Sequence, residues 1–349
     1  MAWQGIQGHD EVVEGFRRSL KHGRLASTFL FAGPEGVGKR TFAFKLAQTL
    51  LCQTQPAERL DPCGHCTGCV QVLARTHPDL LEVSRPKDRS MIPVELLIGS
   101  GERRMHEGLC HAISLKPFMG GRRIAIIDDA DYLNEEGANC LLKTLEEPPP
   151  RSVMILIGTS AEKQLPTIRS RSQLIRFRPL DEETLAGLAV EEGLAGDIDQ
   201  ARRLARHAEG SLGRARELAE PALWSFRRQL LEQLSAPRLN SVALARSIAA
   251  FVDEAGKEAP ARRARGRQLV RFALDYYRGL CTRASGVVEE SDAELDRAIA
   301  SGAQRSSLDG EAAAQCADRC LDALDHIDRN ANQAAWLECW VDDLAQCSR

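Results

Sequence analysis

The sequence lacks any apolar run approaching the ~18 residues needed to cross a bilayer, so no membrane-spanning segment is expected. Its opening, MAWQGIQGHDEVVEGF, lacks the charged lead and apolar stretch of a secretory leader. The expected compartment is therefore the cytoplasm, where thiols stay reduced. A strong charge of either sign is also missing. A net charge of −3 and a pI near 6.3 argue against a protein that grips nucleic acid unaided. There is no internal repeat, no long low-complexity tract and no polymerase-type constellation of carboxylates. Polymerase chemistry is not expected of this chain.

What is present is an ordinary globular composition. The 349 residues are 43% hydrophobic and 27% charged, enough for two or three domains with their own cores. Strand-like and helical signals alternate over 1–178, as a parallel α/β sheet requires. Thr28 to Ala32 (TFLFA), Ile124 to Ile127 (IAII), Val153 to Ile157 (VMILI) and Leu174 to Phe177 (LIRF) read as short buried strands. Pro179 marks a change. From 179 to 220 the pattern is helical with glycine breaks, which suits a small lid of about three helices. From 221 to 349 it stays helical, interrupted near Pro237, Pro260 and the polar stretch Ser301 to Asp309.

The stretch GPEGVGKRT, Gly33 to Thr41, follows a strand and opens a helix, the context of a phosphate-binding loop. Gly33, Gly36, Val37 and Gly38 supply backbone N–H groups that can close around phosphate oxygens, and Lys39 adds a full charge. The next position should carry a Mg²⁺-binding hydroxyl, but it is Arg40. Thr41 comes one place late, and a one-residue shift turns a helical side chain by ~100°. IAIIDDAD then sets Asp128 at a strand end, where it can hold Mg²⁺. Asp129 follows where hydrolytic members of this class usually carry Glu, and a shift on the order of an ångström can cost ~100-fold in rate. The alternative is that the acidic pair caps the next helix, which Asp131 or Asn134 would do better. The pattern favours ATP binding over efficient hydrolysis.

Cys52, Cys63, Cys66 and Cys69 follow C-x10-C-x2-C-x2-C, so residues 52–69 read as a zinc module. Two tight C-x2-C steps and a fourth thiolate after a loop match tetrahedral Zn²⁺ at ~2.3 Å per sulfur, a structural site with no open position. Four free thiols are the alternative, and His65 and His77 are substitute ligands. Cys316 and Cys320, one helical turn apart, read as packing residues. Trp336 and Trp340 share a helical face, as core or interface anchors would. The basic run Arg262 to Arg271 reads as a solvated face offset by Glu254 and Glu258, with a DNA or partner contact as the lesser alternative.

Three further stretches carry a resemblance: NCLLKTLEEPP (Asn139 to Pro149), PTIRSRS (Pro166 to Ser172) and GSLGRA (Gly210 to Ala215). Together with the glycine loop and IAIIDDAD, they make the chain similar to the AAA+ subunits of the bacterial DNA polymerase III clamp loader. The match is dense over 1–220; beyond it, IDRNANQAAWLECW (Ile327 to Trp340) resembles the end of the collar domain. The resemblance implies an α/β plus all-α architecture, with an AAA+ domain over 1–178, a lid over 179–220 and a helical oligomerisation collar over 221–349. Family members carry a similar cysteine insertion. PTIRSRS stands where the family has a Ser-Arg-Cys motif, with Ser172 in place of Cys. Arg171 then matches the arginine that completes a neighbour's ATP site, Thr159 the first sensor and Arg214 the second. Arginine fingers are worth ~10³–10⁵ in rate. For Arg171 the alternative is a surface ion pair, for Thr159 an ordinary helix cap, and for Arg214 a solvated lid arginine.

The expected protein is a non-motor, stator-like subunit that helps load the sliding clamp on primed DNA during replication. Its implied partners are gamma/tau-type ATPase subunits and a delta-type subunit in a hetero-oligomeric ring, with clamp and primer-template DNA reached through the complex. A motor ATPase of the same loader is the alternative; the missing hydroxyl and the chain's ending at Arg349 count against it. A zinc-dependent nucleic-acid-binding protein is a second alternative.

Overall fold

The run TFLFA becomes β1 (Thr28–Ala32), buried along its whole length in the computed structural model. It joins β2 (Leu80–Val83), β3 (Arg123–Ile127), β4 (Ser152–Gly158) and β5 (Gln173–Arg176) in one parallel sheet of order β2-β3-β4-β1-β5. β2 was not expected from the sequence. Phe177 falls just past β5, where its N–H donates to the Ala32 carbonyl at 2.8 Å. The structure describes residues 3–86, 89–287, 292–304 and 308–347. Residues 305–307 of the polar stretch Ser301 to Asp309, and Arg349, lie outside them.

The chain divides into two units, Met1–Arg216 and Glu217–Arg349. In the first, side chains alternate across the sheet and build a core on each face. Phe29 and Phe31 point to one side, where they meet Phe16 and Phe42 at centroid distances of 5.0 and 5.8 Å. Leu30 points to the other, among Ile127, Leu141 and Leu156. Parallel pairing brings all strands to end along one edge. Ala32 lies level with Gly158 and Arg176, and Ile127 with Val83 and Leu156. Gly33, Asp128 and Thr159 therefore emerge side by side. After β5 come the three helices of the expected lid, Glu182–Glu191, Ile198–Ala208 and Leu212–Leu218.

The second unit consists, among the described residues, of the helices Pro221–Ser235, Ser241–Asp253, Ala259–Ala284, Ala293–Gly302, Gly310–Asp328 and Gln333–Cys347. The interruption expected near Pro260 is present, between the helices Ser241–Asp253 and Ala259–Ala284. Pro260 itself lies in the first turn of the later helix, where a missing N–H costs nothing. Trp336 and Trp340 are core residues, with ring centroids 6.2 Å apart. Cys316 and Cys320 are buried, and Trp340 Nε1 donates to Cys320 Sγ. Three arginines of the basic run have carboxylate partners. Arg262 pairs with Asp253 at 3.2 Å, Arg265 with Glu220 at 2.5 Å and Arg267 with Asp328 at 2.7 Å. Asp253 lies beside Glu254 in the chain, whereas helix packing brings Glu220 and Asp328 from far away in sequence.

Candidate functional site

The glycine loop leaves β1 and enters the helix Lys39–Leu51, which no side chain caps. Gly33 must be glycine because a Cβ would press into the Phe177 carbonyl. Gly36 has φ +75°, and a Cβ there would collide with Ser211 Oγ and the Gly213 backbone of the lid. The lid is bonded to the loop at this point, Gly213 N–H donating to the Gly36 carbonyl at 3.2 Å. Val37 is buried, and its carbonyl is 2.8 Å from His9 Nε2. Burial holds the His9 imidazole below its usual pKa.

Lys39 is buried, and its ammonium donates to the Gly33 and Pro34 carbonyls at 2.6 Å each. Burial pushes its pKa down, and the surrounding carboxylates of Asp131, Glu35, Asp128 and Asp129 oppose this. Arg40 lies where the hydroxyl would be. Its guanidinium bonds Glu82 of β2, and its Nε is 3.2 Å from Asp128 Oδ2. Arg75 reaches the other Glu82 oxygen at 3.2 Å. Thr41 is exposed on the first helical turn. Burial raises the Asp128 pKa, and Arg40 counters it; Asp129, raised by burial and by Asp128, has the left-handed φ of +56°. Both cations of the motif are thus engaged with oxygens of the protein.

Asp131 does not cap a helix. Asn134 does, accepting from Gly137 N–H at 2.8 Å. Asp131 instead accepts from the Thr159 N–H at 2.7 Å, the Thr159 hydroxyl at 2.6 Å and Gln164 Nε2 at 2.5 Å. The Thr159 hydroxyl is therefore oriented by a carboxylate. Arg214 is not solvated: its side chain is 11% exposed and pairs with Glu209 at 2.5 Å, while its Nε has no hydrogen-bond partner. Arg171 is bonded to Glu146 of NCLLKTLEEPP at 2.7 Å and to the Thr167 carbonyl at 3.1 Å.

The four cysteines converge as their spacing requires, with all Sγ atoms within 4.8 Å of one another. A tetrahedron with ~2.3 Å metal–sulfur bonds has sulfurs ~3.8 Å apart, and Cys52–Cys66 and Cys63–Cys69 measure 4.0 and 3.9 Å. Backbone N–H groups of Gln55, Cys66 and Cys69 donate to Cys52, Cys63 and Cys66 sulfurs at 3.3–3.4 Å. Hydrogen bonds, first from Thr54, hold the Cys63 thiol down at about 5. The donor set fits a metal ion. His77 is committed elsewhere, its Nδ1 accepting from Asp79 N–H, and His65 Nδ1 is 2.8 Å from the Cys63 carbonyl.

Sequence reasoning missed His9, Arg75, Glu82 and the role of Asp131. Glu82 sits in the unrecognised strand, and His9 and Arg75 meet the loop and Glu82 only through tertiary packing. The third acid of DDAD was the one signal available, and it pointed to a cap.

The sequence is similar to those of known proteins. Residues 8–181 fit the family model described as DNA polymerase III, delta subunit. The tau subunit of Escherichia coli DNA polymerase III is 30% identical over 241 residues, 68% of this chain and 35% of that protein. The gamma/tau subunit of Mycobacterium tuberculosis is 34% identical over 196 residues, 55% of this chain and 32% of that protein. The delta' subunit of E. coli is 31% identical over 218 residues, 62% of this chain and 61% of that protein. The chain thus spans about a third of the tau and gamma/tau relatives. A solved gamma-subunit-related protein from Thermotoga maritima aligns over 97% of this chain and 99% of its own, with TM-score 0.41 and 17% identity.

Proposed function

The chain belongs to the AAA+ clamp-loader family, and from that premise we propose that it is the non-motor, delta-prime-like subunit of a DNA polymerase III clamp loader. The observation that carries the reading is the engagement of both loop cations. Lys39 is turned to the Gly33 and Pro34 carbonyls, and Arg40 to Asp128 and Glu82. Hydrolysis in a phosphate loop needs the lysine on the phosphates and a metal between hydroxyl and carboxylate. Here the hydroxyl is missing and the carboxylate is already paired. The chain's own ATPase activity is weak or absent, and ATP at this loop is not required for its role.

Its contribution is made in trans. Arg171 is offered to the γ-phosphate of ATP held by a gamma/tau-type neighbour, where it stabilises developing negative charge. The Arg171–Glu146 pair keeps the guanidinium oriented, and its side chains are 33% and 50% exposed. An exposed pair is worth about 0–1 kcal/mol, so a triphosphate displaces Glu146 easily. The collar assembles with the other loader subunits, and the sliding clamp and primer-template DNA are met through the complex, in the cytoplasm. No helix among the described residues is long and apolar enough to cross a membrane. Zn²⁺ is the ion that suits four thiolates, as a structural staple that takes no part in chemistry.

The test is steady-state ATP hydrolysis by the isolated chain. The expected rate is indistinguishable from background and unchanged by Lys39→Ala. A Lys39-dependent turnover would make the chain a motor and overturn the reading.

A further inference from the structure

The carboxylates at the switch edge of the sheet raise a question that the non-motor reading leaves open. Glu82 and Asp128 stand at the ends of adjacent strands β2 and β3, with Asp129 next in the chain. Asp128 and Asp129 lie partly buried; Asp129 feels the negative charge of Asp128, and Asp128 that of Glu82. Such a group of anions needs a cation. Lys39 donates instead to the loop carbonyls. Arg75 donates to the other Glu82 oxygen and stacks on Phe44. Arg85 acts on Asp129, whereas Arg40 touches both Glu82 and Asp128.

We propose that the Arg40 guanidinium is a tethered replacement for the divalent cation of the loop, so that the site keeps one charge state whether or not metal is present. The argument is one of position and chemistry together. Arg40 takes the chain position of the metal-binding hydroxyl and makes a 3.2 Å contact with the carboxylate that would face the metal. A guanidinium stays protonated at every physiological pH and cannot be removed by a chelator. Being on the chain, it needs no free-ion concentration to hold it there. It also lacks the inner-sphere positions with which Mg²⁺ bridges two phosphate oxygens. A nucleoside phosphate meeting this loop would do so as the metal-free species. The inference rests on the non-motor reading but is tested separately, because metal counting needs no partner subunit and the Arg171 assay needs no metal at this loop.

The experiment is Mn²⁺ titration of the full chain, zinc-loaded, followed by the electron paramagnetic resonance of free Mn²⁺. The wild type is expected to leave the free signal unchanged. Arg40→Ser and Arg40→Gln should each bind one Mn²⁺ at least about tenfold more tightly than the wild type, and adding Asp128→Asn to either should abolish it. Arg40 is half exposed, so both variants should keep the wild-type far-ultraviolet circular dichroism. Mn²⁺ binding by the wild type that is lost in Asp128→Asn would overturn the proposal. So would two folded Arg40 variants that bind none.

Discussion

Replacing Cys66 by Ser should strip the metal from the cysteine cluster and loosen the first unit. Cys66 Sγ lies 4.0 Å from Cys52 Sγ, accepts the Cys69 N–H at 3.4 Å and caps the helix Thr67–Leu73. The module is joined to the core. Leu60 and Val72 are buried with the aromatic cluster, and Trp3 Nε1 donates to the Leu60 carbonyl at 2.6 Å. Gln48 of the loop helix donates to the Cys69 carbonyl at 3.3 Å. Loss of a structural metal belongs to the few changes that cost about 4 kcal/mol or more. For a unit of this size each kcal/mol moves the midpoint by about 2–4 °C, so a fall of roughly 8–16 °C is expected. The assays are metal analysis, expected to give one Zn²⁺ per wild-type chain and none in Cys66→Ser, and differential scanning calorimetry. A wild-type chain purified without metal under reducing conditions, or a Cys66→Ser midpoint within about 2 °C of wild type, would refute the argument.

Three further outcomes follow from the geometry. Gly36→Ala places a Cβ at a φ of +75° against Ser211 and Gly213, and should cost about 1–3 kcal/mol in urea unfolding; no loss would mean that the lid does not sit on the loop. Arg227, 2% exposed, is bonded to Asp292 at 2.6 Å, so Asp292→Ala should destabilise the second unit by about 3–5 kcal/mol, read by denaturant unfolding with tryptophan fluorescence. His9 and His77 are both held below the usual 6.5 by burial. The unfolded chain therefore binds more protons just below pH 6.5, so stability is full above that value and falls as pH drops through it. The slope is at most about 1.4 kcal/mol per pH unit for each histidine. A His9→Gln, His77→Gln double variant should flatten the curve below pH 6.5, and an unchanged slope would count against these two residues.

Much of the fold was legible because its signals are local. TFLFA, IAII, VMILI and LIRF carry unbroken apolar runs, as strands covered on both faces must. The cysteine spacing is equally local, since two C-x2-C steps leave the thiolates little choice but to converge. LLEV failed as a signal. It is four residues long, follows His77-Pro78-Asp79 and carries Glu82, whose exposed side chain gave no hint that Arg40 would reach it. The altered loop could be read from Arg40 alone, but what Arg40 does instead needed the missed strand. Asp131 shows the same limit. As the last acid of DDAD it resembles a cap, and the hydroxyl and amide it holds at Thr159 are 28 residues away. The partners of Arg265 and Arg267, Glu220 and Asp328, were out of reach for the same reason, since helix packing brings them from far away in sequence.

The most direct test of the non-motor account is DNA-stimulated ATP turnover by a loader reconstituted with its motor subunits and this chain as wild type, Lys39→Ala or Arg171→Ala. The account predicts that Arg171→Ala removes most of the turnover at the adjacent site, by a factor of about 10³ or more, while Lys39→Ala leaves it near wild type. A large loss with Lys39→Ala and little with Arg171→Ala would contradict it and make this chain one of the motors.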